Sequence, residues 1–246
     1  MPREGLTGGL AFGRGLFLWL TPGSRELRVG GVNGPAILWD LDGVIVNSME
    51  FHYQAYSEVL AGRGRELSRE EYLRELIGLR NYVILRRVLG NLSDEEVGAL
   101  AEQKEQAFRR LVAGNVQALP GAAGLVRRAK AAGLLQAIVS STPRANIEVM
   151  LGSLGLWETF DVIVGEEDAT RGKPDPEGFL VAAERLSARP EECVVIEDAP
   201  EGIAAGKAAG MRCIGVTTTR PAERLGQADL VVESLQDERA WEMISG

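Results

Sequence analysis

The sequence predicts an α/β fold, a doubly wound parallel sheet interrupted by an all-helical insertion. Three observations carry this. Short apolar runs recur along the chain, helical patterns that open near Gly or Pro lie between them, and one stretch of about seventy residues has helical periodicity without a strand pattern.

Residues 1–34 are Gly-rich and come first. The apolar stretch 10–20 is broken by Arg14, and Glu4 offsets Arg3 where a signal peptide needs a positive n-region. A loosely ordered extension and a cytoplasmic protein are the expectations. Regular patterning begins at residue 35. Ala36–Trp39 is a short apolar run that meets Asp40, and similar runs at 134–139, Val162–Val164, 193–196, 213–216 and Leu230–Val232 predict further strands. Their lack of apolar/polar alternation is that of strands covered on both faces. Between them, 121–132, 143–154, 176–186 and 200–209 predict helices. The division expected is a core of 35–47 and 119–246 with an inserted helical unit at 48–118. In that unit Val97, Leu100, Ala101, Ala107, Phe108 and Leu111 share one helix face, and Lys104 lies on the same stripe. Its ammonium either snorkels to water or points into a cleft that holds an anion.

Composition bounds the function. With 246 residues, 45% hydrophobic and 25% charged, the chain fits a soluble globular protein and argues against a wholly disordered chain, collagen-like repeats or a membrane bundle. A net charge of -8 repels a phosphate backbone, which argues against nucleic acid but leaves room for a local pocket that takes a small phosphate. Cys193 and Cys213 sit in apolar runs and predict buried thiols, not a disulfide framework. No heptad or repeat marks an oligomer interface, and two phosphate or metal motifs fail on spacing. Gly202 and Gly206 are separated by three residues where a nucleotide-binding loop has four, with Ala208 where Ser or Thr belongs. Asp40, Asp42 and Gly43 place the glycine at the fourth position of a calcium loop that needs it at the sixth.

The segment Trp39-Asp40-Leu41-Asp42-Gly43-Val44 stands. A buried strand runs into two carboxylates and a glycine, and alternation puts both carboxylates on one side if the chain stays extended. Such a pair is tolerable when a cation neutralises it or one member keeps its proton, although an isolated Asp-x-Asp-Gly also serves simply to cap a turn. Three other strand ends add polar groups. Ser140, Ser141 and Thr142 precede Pro143, Glu197 and Asp198 end the fourth run, and Lys173 lies in the proline-stiffened Gly172-Lys173-Pro174-Asp175-Pro176. Ligands of open parallel sheets bind beyond these strand ends.

In this order and spacing, from about residue 36 to 232, the four elements resemble the motifs of the haloacid dehalogenase superfamily of phosphohydrolases. The helical insertion resembles the small α-helical cap of the branch that includes β-phosphoglucomutase and phosphoglycolate phosphatase. The resemblance implies a Rossmann-like core with a small all-helical cap, Asp40 as nucleophile and Asp42 as general acid and base. It implies a phosphoryl group held by Ser140, the Ser141 N–H and Lys173. It also implies Mg2+ held by Asp40, the Asp42 carbonyl and Asp198, with Glu197 as an additional candidate. Asp42 argues against a dehalogenase, which has no leaving alkoxide to protonate. In the cap, His52 falls where this branch carries a histidine, Lys104 resembles a lysine that faces the active site, and Arg80 lies near an arginine for a distal phosphate. The run Asn81-Tyr82-Val83 departs from the mutase pattern. The expected function is therefore a phosphatase of a small phosphorylated metabolite, a sugar phosphate or phosphoglycolate, with neither nucleic acid nor membrane as partner. The alternatives are a β-phosphoglucomutase-like mutase and a non-catalytic binding protein on the same fold.

Overall fold

The computed structural model describes residues 35–246, so the extension expected at 1–34 lies outside the described residues. Six strands, β1 (Ala36–Trp39), β2 (Leu135–Val139), β3 (Val162–Val164), β4 (Cys193–Glu197), β5 (Arg212–Val216) and β6 (Leu230–Val232), form one parallel sheet in the order β3-β2-β1-β4-β5-β6. The chain fills β2 and β3 on one side of β1 and then returns to β4 on the other. This reversal opens a crevice above the C-terminal end of β1.

Alternation sorts the buried side chains onto the two faces of the sheet. Ile37, Trp39, Ile138, Val194 and Ile196 pack under α5 (Ala122–Ala131), α6 (Arg144–Ser153) and α9 (Glu238–Ser245). Leu38, Ala137, Val139 and Val195 pack under α7 (Glu177–Leu186) and α8 (Pro200–Ala208). Gln136 is the polar exception within β2, and it is satisfied: its Oε1 accepts from Trp39 Nε1 at 3.1 Å and its Nε2 donates to the Val126 carbonyl at 3.1 Å. Both cysteines are buried and free.

Differences from the expected elements are local. Pro143 and Pro176 cap α6 and α7 from outside, whereas Pro200 is the first residue of α8. Helix α9 was not anticipated. It is short, and its buried positions are only Ala240 and Ile244, too few for a clear period.

Between β1 and α5 the chain makes α1 (Met49–Ala61), α2 (Arg69–Glu71) running into a π turn at Tyr72–Leu76, α3 (Asn81–Leu89) and α4 (Asp94–Val112). Ser93 and Glu96 start α4 as a reciprocal capping box, with bonds of 3.2 and 2.9 Å. Tyr56, Leu60, Tyr72, Leu76 and Ile84 give these helices an apolar cluster of their own. The lower half of α4 reaches further, because Ala107, Phe108 and Val112 join the main cluster with Ile147, Met150 and Leu151 of α6. The chain enters and leaves this helical segment side by side: Val46 pairs antiparallel with Ala118, and the Leu119 N–H donates to the Ile45 carbonyl at 2.8 Å. Among the described residues, no helix is long and apolar enough to cross a membrane.

Gly121, at φ +83°, precedes α5 with its Cα against the Leu235–Gln236 backbone, so a Cβ there would be both strained and sterically blocked. Gly133, at φ +76°, faces open space. Gly121→Ala should therefore lower stability by about 2 kcal/mol or more, and Gly133→Ala by only about 1 kcal/mol. Thermal melts of the two variants check the ranking.

Candidate active site

The strand pairing of β1 ends at Trp39, and the chain does not stay extended to Asp42. Leu41 already closes a turn, its carbonyl accepting from the N–H groups of Ile45 and Val46 at 2.9 and 3.0 Å. The two aspartates reach the crevice by different routes and meet different partners. Asp40 is fixed by its N–H bond to the Ile196 carbonyl (2.9 Å), and its Oδ1 accepts from Lys173 Nζ at 2.5 Å. Asp42 accepts instead from two hydroxyls, Ser48 Oγ on Oδ1 and Thr142 Oγ1 on Oδ2, the latter at 2.8 Å.

Lys173 is the hub. Besides Asp40, its ammonium donates to Glu197 Oε1 at 2.5 Å and to the Val139 carbonyl at 3.1 Å, and it lies 5.2 Å from the Phe179 ring centroid. Glu197 Oε2 takes the N–H groups of Asp198 and Ala199 at 3.1 and 3.2 Å, which holds the turn after β4. Thr219 Oγ1 donates to Asp198 Oδ2. Two glycines make room for these carboxylates: a Cβ at Gly202 would overlap Glu197, and one at Gly43, where φ is +87°, would overlap Asp198.

One half-buried ammonium is thus bonded to Asp40 and Glu197, with Asp42 and Asp198 close enough to feel its charge. Burial pushes the Asp40 carboxyl well above the usual range; Lys173 opposes this, while Glu197, Asp198 and Asp42 add to it. Burial also raises Asp42 against the hydroxyls of Ser48 and Thr142, and raises Asp198 to about 6. For Lys173, burial alone would lower the pKa, but Asp40 and Glu197 outweigh it and keep the ammonium charged. Carboxylate oxygens of Asp40, Glu197 and Asp198 lie within 4.8 Å of one another and could hold a metal ion. An all-oxygen, acid-rich set pressed against two glycines fits a hard dication in kind and charge.

Ser140 is buried just past the end of β2, the strand that pairs with β1. Its Oγ accepts from the Thr142 N–H at 3.1 Å, which folds the loop so that Thr142 reaches Asp42. Ser141 is exposed at the same loop. Ser48 and Thr219, both anchoring acidic side chains, were missed by sequence reasoning; nothing in a lone hydroxyl residue signals a partner six or twenty-one residues away.

Across the crevice, Lys104 does not snorkel. It is 2% exposed, and its Nζ is bonded to Glu105 Oε1 at 2.9 Å and to His52 Nδ1 at 2.8 Å, over the rings of Tyr56 and Phe108. His52 stacks on Phe108 with ring centroids 4.1 Å apart. With Nδ1 accepting, the neutral ring carries its proton on Nε2. Burial raises the carboxyls of Asp42 and Glu166, and the Lys104 charge opposes both shifts, so it acts on the crevice from the insertion side. Arg80, exposed at the start of α3, extends its guanidinium toward Gly172, the neighbour of Lys173. The structure thus brings Asp40, Asp42, Ser140, Lys173, Glu197 and Asp198 together at one sheet edge, with His52, Lys104 and Arg80 contributed by the insertion.

A family model described as haloacid dehalogenase-like hydrolase matches residues 37–216. The validoxylamine A 7'-phosphate phosphatase of Streptomyces hygroscopicus subsp. limoneus is 31% identical over 202 residues, 82% of this chain and 94% of that protein. Hexitol phosphatase A of Escherichia coli is 35% identical over 201 residues, 81% of this chain and 90% of that protein. The crystal structure of β-phosphoglucomutase from Clostridium difficile superposes with a TM-score of 0.72 at 30% identity, covering 86% of this chain and 97% of the other.

Burial, and then the adjacent Lys104 charge, push His52 down to about 3, with Glu105 opposing. As the sequence contains a single histidine, its imidazole C–H resonances are isolated in an NMR spectrum and should not move between about pH 5 and 8. Lys104→Met should shift its titration upward. A wild-type midpoint near the ordinary 6.5 would contradict the buried pairing.

Proposed function

The chain belongs to the haloacid dehalogenase-like hydrolase family, and from that premise we propose that it is a magnesium-dependent phosphatase of a small phosphorylated metabolite, a sugar phosphate or phosphoglycolate, working through an aspartyl phosphate on Asp40. The observation that carries this reading is the Lys173 ammonium held by Asp40 and Glu197 beside Asp198, three buried carboxylates that with the half-buried Asp42 meet at the switch point of the sheet.

Asp40 attacks phosphorus in line, its oxygen and the departing alkoxide lying on opposite sides. Lys173, which already grips Asp40 Oδ1, orients the nucleophile and offers its remaining charge to the phosphoryl oxygens. Ser140 and the Ser141 N–H would complete the cradle at the start of α6. Asp42 is the proton donor to the leaving oxygen and then the base that takes a proton from the hydrolytic water. Burial, which favours its protonated form, suits the first task, and the hydroxyls of Ser48 and Thr142, which favour its ionised form, suit the second. Asp40, through the oxygen that Lys173 does not hold, and Asp198 would hold Mg2+, with the Asp42 carbonyl as a further ligand and Glu197 serving mainly to fix Lys173. When bound, Mg2+ supplies neutralising charge for these carboxylates and for the phosphoryl group.

Residues 48–118 serve in this account as a cap over a core of 35–47 and 119–246, with His52, Lys104 and Arg80 facing the part of the substrate that leaves. Similarity to hexitol and validoxylamine phosphate phosphatases supports a polyhydroxylated leaving group. A mutase would need the same residues but must shelter the intermediate from water.

Incubating the protein with a panel of small phosphate monoesters and Mg2+ should release inorganic phosphate, with EDTA abolishing turnover and Asp40→Asn lowering it by at least about a thousandfold without loss of the folded state. Conversion of β-glucose 1-phosphate to glucose 6-phosphate without phosphate release, given a trace of glucose 1,6-bisphosphate, would establish the mutase instead. Absence of any turnover would leave a binding protein.

A further inference from the structure

Lys104 is placed by a carboxylate that the chemistry above does not use. Glu105 is buried on α4, and both its oxygens are engaged. Oε1 accepts from Lys104 Nζ at 2.9 Å and from Asn81 Nδ2 at 2.8 Å, and Oε2 accepts from Asn146 Nδ2 at 2.5 Å. Asn81 is the first residue of α3, beside Arg80, and its Oδ1 takes the Tyr56 hydroxyl. Asn146 is fully buried on α6, in the core, and its Oδ1 accepts from Arg109 Nη1 of α4 at 3.0 Å. Two residues of α4, Glu105 and Arg109, thus grip both ends of one core amide.

Around this pair the contact between α4 and α6 is apolar, with Ala107, Phe108 and Val112 against Ile147, Met150 and Leu151. Apolar packing is non-directional, so by itself it tolerates sliding and rotation of one helix on the other. A buried hydrogen-bonded polar group does not, because any shift leaves it unpaired in a dry interface. A single buried polar residue that fixes helix register is the best-attested use of such groups. Helix α6 also begins directly behind the Ser140–Thr142 loop, so its position and that of the loop are one.

We infer that the Glu105–Asn146 pair is a register pin that fixes α4 on α6, and that Glu105 is a positioning residue through which the pin sets the place of the Lys104 ammonium over the crevice. The pair links the two halves of the site: the loop that would cradle the phosphoryl group and the lysine that would meet the rest of the substrate. The kinetic part of this inference rests on the phosphatase reading, but the geometric part does not.

The test has two arms. Glu95 on α4 and Glu184 on α7 are exposed, while both native cysteines are buried, so spin labels go to Glu95→Cys and Glu184→Cys alone. Pulsed electron paramagnetic resonance of the full chain should give one narrow distance in the parent, and a broadened or displaced one when Asn146→Ala or Glu105→Gln is added. Two pin variants are used so that one that fails to fold does not end the test. In the kinetic arm, each variant should raise KM for the best metabolite found in the phosphate-release panel roughly tenfold, as expected for loss of a hydrogen bond to a charged group. Turnover of p-nitrophenyl phosphate, whose leaving group offers Lys104 no hydroxyls, should stay within about twofold in both pin variants. Unchanged distance distributions would overturn the pin. A displaced distribution with equal losses on both substrates would overturn the role of Glu105 in placing Lys104. A parent protein that releases no phosphate would sink the phosphatase reading, while the distances would still decide the pin.

Discussion

The bond from Lys173 to Asp40 and Glu197 is the constraint around which the rest of the molecule is arranged. A buried ammonium without partners, or three neighbouring buried carboxylates without a cation, would each be strongly unfavourable. Together they are tolerable, and their geometry demands that the ends of β1 and β4 and the loop before α7 converge within 2.5 Å contacts. The parallel sheet supplies this convergence. Its central strands end at the same level, and reversal of the winding at β1 leaves the space above them open. Glycine at positions 43 and 202 is then required by the carboxylates themselves, since each lies where a side chain would begin. Charge balance stays incomplete, with more acid than base in the cluster, and this imbalance is what makes the site suited to a dication and a phosphoryl group rather than to apolar ligands.

The helical insertion repeats the same logic at smaller scale. Lys104, Glu105, Tyr56 and Asn146, all buried, and the half-buried His52 and Asn81 form a continuous polar network in which each group satisfies another. Such a network is stable only as a whole. It holds a charged lysine in an otherwise apolar stripe, and it does so at the boundary between insertion and core. On the proposed function these residues serve both stability and substrate contact, so substitutions there are expected to change both.

Most of the core was legible from residue order because the information is local. Apolar runs without alternation specify strands covered on both faces, and prolines and glycines mark where helices start and stop. Asp40, Asp42, Lys173, Glu197 and Asp198 were visible because each sits at a strand end or in a stiff loop next to it. Partnerships across the fold were not. The sequence left Lys104 equally open to water and to a cleft, and the choice was made by Glu105 and His52, the latter 52 residues away. Ser48, Thr142 and Thr219 grip the aspartates over separations of 6, 100 and 21 residues, which no periodicity encodes. Asn146 looks like an ordinary helical residue until α4 is laid on α6. Helix α9 escaped notice because two buried positions make no period.

On the proposed function, the excess of carboxylates around Lys173 is a cation site built into the folded state. It is tested most directly by the melting temperature of the protein as Mg2+ is added, with NaCl of matched ionic strength as the control. A ligand that binds only the folded form adds about 2.7 kcal/mol at a hundred times its dissociation constant, so the melting temperature should climb with the logarithm of Mg2+ concentration. The climb should vanish in Asp198→Asn, which keeps the fold but removes a carboxylate. A wild-type melting temperature indifferent to Mg2+, or an equal rise in the variant, would contradict the account.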